Sequence, residues 1–175
     1  QSKFIVNKFN LYQLSTGDLL RNEIKNKTPL GSKISSTINS GELVSDKIVN
    51  DLIEKIISND NYKNKIIFDG YPRSLIQAKN LDDLLIKYKQ KIDIVLKLSV
   101  SLETIKKRIL ERQTKENRAD DSEEIAIKRF KTYQKSSEPV LDYYKQSNLL
   151  KVVNGEAEIS KINSEISVLI EAIKG

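Results

Sequence analysis

The stretch IIFDGYPRSLIQ, residues 66–77, decides how this chain is read. Its opening residues are apolar and do not alternate with polar ones, as in a strand covered on both faces. Asp69 ends that run, and Gly70, Tyr71 and Pro72 make a tight turn, after which Arg73 is expected to open a helix. In open α/β sheets ligands bind beyond the carboxyl ends of the strands, which is where Asp69 falls. Arg73 and Gln77 are four positions apart, a spacing that places them on one helical face near its start. Such a face offers a guanidinium fork to a phosphate and an amide to the edge of a base.

Working outward, strands are expected at about 12–14, 65–69, 92–98 (IDIVLKL) and 149–153 (LLKVV). Helical patterns lie between them. Ser45 is placed to cap a helix running to Ile57, in which Ile48, Leu52, Ile53, Ile56 and Ile57 keep helical spacing. Ser101 is expected to open another through Arg112, followed by a long helix over about 122–136 and a last one over 159–173. Pro139 is expected to interrupt the chain before Leu141. Strands alternating with helices imply a parallel sheet with helices on both faces. The segment 15–44 is too long for one crossover helix and reads as a helical insertion whose second helix starts at Pro29. Within it STGDLLR (15–21) places Ser15 or Thr16 as N-cap, Leu19 and Leu20 inward, and Arg21 a turn and a half later.

The 175 residues suffice for a single domain, with 38% hydrophobic and 31% charged residues. No apolar run has the length of a membrane span, no signal-peptide pattern is present, and a cytoplasmic location is the expectation. Without cysteine or histidine, disulfides and thiolate sites are excluded and no zinc is expected. The net charge of +6 favours an anionic partner. Only six of the 30 basic residues are arginines, namely Arg21, Arg73, Arg108, Arg112, Arg118 and Arg129. Where charge alone is needed lysine serves, whereas a planar fork gripping phosphate needs arginine. With aromatics at 6% and the arginines spread along the chain, a nucleic-acid surface is not expected.

In this order and spacing, STGDLLR and DGYPR, with SGELVSD (40–46), RILERQTKENRADD (108–121) and KRFKTYQKSSEPVLDYY (128–144), resemble the nucleoside monophosphate kinases. Adenylate kinases of the short-lid kind are the most similar. The resemblance implies a P-loop-kinase-type three-layer α/β/α fold in one domain, 1–175, with an AMP-binding insertion over 15–44 and a short lid over 113–121. It implies magnesium-dependent transfer between ATP and AMP to give ADP, in a monomer without nucleic-acid or membrane partners. Thr16, Arg21, Leu43, Val44, Gly70, Arg73, Gln77 and Arg129 would hold AMP, with Gln77 favouring adenine. Arg108, Arg112, Arg118 and Gly155 would bind ATP. Arg73, Arg112, Arg118 and Arg129 would contact phosphates, and Asp120 and Asp121 would orient the lid arginines. Asp69 would reach magnesium through water, with no direct metal ligand. A catalyst that works by positioning and charge neutralisation needs no histidine or cysteine.

One part of the pattern is missing. None of the glycines at 17, 31, 41, 70, 155 and 175 is followed by lysine, so no G-x-x-x-x-G-K-[ST] loop occurs in these residues. In the family that loop follows a first strand at the centre of the sheet, between the strands here at 65–69 and 92–98. Those two strands are therefore expected to have unpaired inner edges, and the chain to fold poorly and be an inactive, N-terminally truncated form. The alternatives are a UMP/CMP kinase, or a loop-less AMP-binding module without catalysis.

Overall fold

The computed structural model describes residues 1–40, 42–116 and 122–174. The IIFD run forms β2 (Ile66–Asp69), which pairs in parallel with β1 (Tyr12–Ser15), Tyr12 opposite Ile66 and Ser15 opposite Asp69. A second parallel pair joins β3 (Val95–Ser99) to β4 (Leu150–Asn154). β3 starts three residues later than its apolar run suggests. Its first ladder bond is donated by Val95 N to the Leu149 carbonyl, and the turn at Asn148 offers Ile92–Ile94 no strand to pair with.

The strands alternate their side chains between two helical layers, as a pleat requires. Ile67, Leu96, Leu98 and Val153 pack with Ile5 of α1 (Ser2–Phe9) and with Ile162, Ile166 and Ile170 of α8 (Ile159–Lys174). On the other face Ile66 and Phe68 meet α4 (Asp46–Ile57) and α5 (Leu75–Lys87). Val95 and Leu150 meet Ala78 of α5 and Val140 and Tyr144 of α7 (Glu123–Gln146). The layers are therefore helix, strands, helix, and both helical layers span the two sheets. The sheets themselves remain separate, two strands each among the described residues. The edges of β2 and β3 not paired with β1 and β4 border one cavity, which all of β2 and residues 95–98 of β3 line. The expected unpaired inner edges are present.

Local signals account for most helix ends. The Ser15 hydroxyl caps α2 (Thr16–Lys25) by accepting from Asp18 N, and Ser101 does the same for Thr104 N at α6 (Leu102–Glu116). Ser45 precedes α4 as expected, but its side chain makes no cap bond. The expected break at Pro139 does not occur, since α7 runs through it for 24 residues. An interior proline removes one ladder bond and crowds the preceding turn, at about 3 kcal/mol. Val140, 5% exposed, and Tyr144, 1% exposed, bury the segment beyond it and hold it helical. Burial outweighs propensity here.

The inserted pair α2 and α3 (Pro29–Asn39) depends on one close approach. A Cβ on Gly31 would lie 2.0 Å from the Glu23 carbonyl oxygen in α2. Thr28 locks that approach by donating to Glu23 Oε2 at 2.6 Å and accepting from Gly31 N at 2.9 Å. Gly31→Ala should push α3 off α2 and destabilise the chain by about 1–3 kcal/mol, read from urea unfolding.

Candidate functional site

Backbone geometry at the end of β2 brings the chemistry together. Gly70 sits at φ 72°, in the left-handed region, and a Cβ there would meet Arg73 Nη2 at 2.8 Å. With that space open, Arg73 folds back and its Nε donates to the Gly70 carbonyl at 2.7 Å. The Thr16 hydroxyl donates to the same oxygen at 3.1 Å, joining the first turn of α2 to the turn after β2. Asp69 ends β2, and its Oδ2 accepts from Gln13 Nε2 of β1 at 2.7 Å.

Arg73 does not open a helix. Ser74 is the N-cap of α5, its Oγ accepting from Gln77 N at 3.1 Å, so Arg73 lies in the turn before it. Serine competes for the cap because its short hydroxyl reaches the free amides of the first turn, which arginine cannot do. Arg73 and Gln77 are joined in another way, through a bond from Arg73 N to Gln77 Oε1 at 2.8 Å.

Ten of the expected residues line one cavity of about 1460 Å³: Thr16, Arg21, Leu43, Val44, Asp69, Gly70, Arg73, Gln77, Arg112 and Arg129. Arg73 is open to solvent through the cavity mouth but walled by protein on most sides. That desolvation, with the like charges of Arg129 and Arg21, pushes its pKa below the ordinary arginine value, and Asp69 opposes the shift. Guanidiniums crowded so closely are better tolerated with an anion between them. Arg21 itself lies 2.5 Å from Asp18 Oδ1.

Of the residues expected to bind ATP, Arg112 lines this cavity, whereas Arg108 and Gly155 lie elsewhere. Arg108 Nη2 donates to the Gly155 carbonyl at 2.8 Å, and neither residue lines the cavity. Beside them Glu156 accepts from the Thr104 hydroxyl at 2.6 Å and from Ser101 N. Those bonds, the Thr104 one foremost, hold its carboxyl below the usual range. Arg118, Asp120 and Asp121 lie outside the described residues. One residue escaped the sequence reading. Asp46 binds Gln77 Nε2 at 2.7 Å, although an acid in the first turn of α4 reads only as a complement to the helix dipole.

Comparison with known proteins gives a consistent result. The family profile described as adenylate kinase matches residues 1–149. A protein of Pelagibacter ubique named adenylate kinase is 39% identical, over 98% of this chain and 92% of its own length. Adenylate kinases of Fusobacterium nucleatum and a Cyanothece species are 36% and 34% identical, covering 95% and 100% of this chain and 89% and 90% of theirs.

Beneath the cavity the Tyr71 hydroxyl donates to Asn50 Oδ1 at 2.9 Å, linking the turn to α4. Burial, helped by the charge of Asp46, pushes its pKa up to about 12 from 10.0. Tyr144 is also raised, again mainly by burial. A group whose folded pKa exceeds its unfolded one stabilises the fold fully below the unfolded value and loses that contribution as pH rises. Unfolding free energy should therefore fall between pH 10 and about 12, and less steeply in Tyr71→Phe, as denaturant titrations at stepped pH will show.

Proposed function

Because this chain belongs to the adenylate kinase family, a family of nucleoside monophosphate phosphotransferases, we propose that it serves the reversible transfer of a phosphoryl group from ATP to AMP, giving two ADP. The observation that carries the AMP side is the placement of Arg73, which the Gly70 carbonyl holds on the cavity wall within electrostatic reach of Arg21 and Arg129. The AMP phosphate sits among these guanidiniums, whose forks fix it bidentately. The base lies toward Gln77, between the α5 start and the Leu43–Val44 segment. Thr16 closes the sugar-phosphate end.

Arg112 on α6 and Arg129 on α7 border the same cavity and neutralise the phosphoryl group in transit. Arg108 and Gly155 take the ATP base, while Arg118, Asp120 and Asp121 complete a short lid that keeps water from the transferring group. The family generally uses magnesium with ATP, and its chemistry is neutralisation of phosphate charge. Asp69 fits the water-mediated role, since it lines the cavity with only Oδ2 engaged by Gln13. Among the described residues no group of three acidic, histidine or cysteine side chains could enclose a metal. No described helix is long and apolar enough to cross a membrane. A cytoplasmic monomer acting on free nucleotides completes the proposal.

Residues 1–175 contain no lysine-bearing glycine loop, and the cavity reaches between β2 and β3 where a strand leading to such a loop would pair on both sides. Gln1 and Ser2 line this cavity, so the start of α1 borders the same space. We therefore assign AMP binding to residues 1–175, without turnover of ATP by these residues alone. In a coupled ADP assay residues 1–175 should give no turnover. Robust turnover by residues 1–175 would overturn the assignment. In calorimetry AMP should bind better than CMP or UMP, and Arg73→Lys should weaken AMP by about 1.5–3 kcal/mol, the worth of a charged hydrogen bond.

A further inference from the structure

Gln77 is 3% exposed yet lines the cavity, so only part of its amide is available to a ligand. The remainder is already bound. Gln77 Oε1 accepts from Arg73 N at 2.8 Å, and Nε2 donates to Asp46 Oδ1 at 2.7 Å. Both partners have fixed polarity, because a backbone amide only donates and a carboxylate only accepts. Turning the amide over would set N–H against N–H and oxygen against carboxylate. Asp46 is fixed in turn, with Ser74 Oγ at 3.3 Å from each of its oxygens and its own backbone in the first turn of α4.

We infer that Asp46 is a specificity-determining positioning residue, which pins the Gln77 amide so that the site distinguishes a 6-amino from a 6-oxo purine. The inference rests on the reading of Gln77 as the base contact. A 6-aminopurine presents a donor at N6 beside an acceptor at N1, and a 6-oxopurine presents the reverse pair. A carboxamide free to turn by half a revolution satisfies either edge equally well. A pinned one keeps one N–H and one oxygen lone pair in a single order, and leaves buried polar groups unmatched against the wrong base. Gln77 supplies the contact, and Asp46 together with Arg73 N makes it selective.

Calorimetric binding of AMP, IMP and ribose 5-phosphate to residues 1–175 tests this, since AMP and IMP differ only at the 6-position edge. The unaltered chain should prefer AMP by about tenfold or more, the scale of a bidentate base contact. Asp46→Asn, whose amide can donate or accept, releases one of the two pins while Arg73 N keeps the other, and should narrow the AMP preference over IMP by about threefold while leaving ribose 5-phosphate unchanged. Asp46→Ser, whose hydroxyl also plays either part, should do the same and serves if the first variant does not fold. An undiminished preference in a folded variant would overturn the inference. So would an equal loss for all three ligands, which would make Asp46 only a tie between α4 and α5. If the unaltered chain binds AMP and IMP alike, the Gln77 base contact itself is wrong, and if it binds none of the three, the AMP site is.

Discussion

The carbonyl oxygen of Gly70 accepts one hydrogen bond from the Arg73 guanidinium and another from the Thr16 hydroxyl. Through these two bonds the end of β2, the start of the α2–α3 insertion and the approach to α5 share one acceptor. The carbonyl takes up this position because residue 70 stands at positive φ without a Cβ, which leaves room for the guanidinium above it. A side chain at residue 70 would displace Arg73 and with it the spacing of the cavity wall.

Charge in this protein divides into two kinds. Lysine pairs such as Lys87 with Glu54 and Lys128 with Glu42 lie on the surface, where solvent and salt leave such contacts little weight. Arg21, Arg73, Arg112 and Arg129 face a shared concavity, where desolvation amplifies every charge. The rarity of arginine in this lysine-rich chain marks the second kind, because geometry as well as charge is demanded there. Arg108 lies outside that concavity, its guanidinium held in place by the Gly155 carbonyl.

Features set by neighbours in sequence were legible, and those set by distant packing were not. The continuous apolar runs announced strands buried on both faces, and Ser15 and Pro29 announced helix starts, because a strand's period and a cap's reach are local properties. The empty position between β2 and β3 was legible too, through the missing loop pattern. Pro139 misled because the helix around it is held by Val140 and Tyr144 against elements elsewhere in the chain. Arg73 misled because adjacent Ser74 competes better for the cap. Asp46 meets Gln77 across 31 residues, and no spacing rule connects two side chains from separate helices. The core of the fold and the cavity-lining arginines were thus readable, whereas the hydrogen bonds that orient them were not.

The two bare edges of β2 and β3 also bear on how the chain behaves among its own copies. A strand edge with unpaired backbone groups is a template for any extended segment, and apolar neighbours make it more so. In this fold both edges open into a cavity and not onto the outer surface, and the flanking helices α1 and α8 on one face and α5 and α7 on the other shield them. Recessed edges admit a single strand from the mouth but obstruct the edge-to-edge docking of two folded sheets.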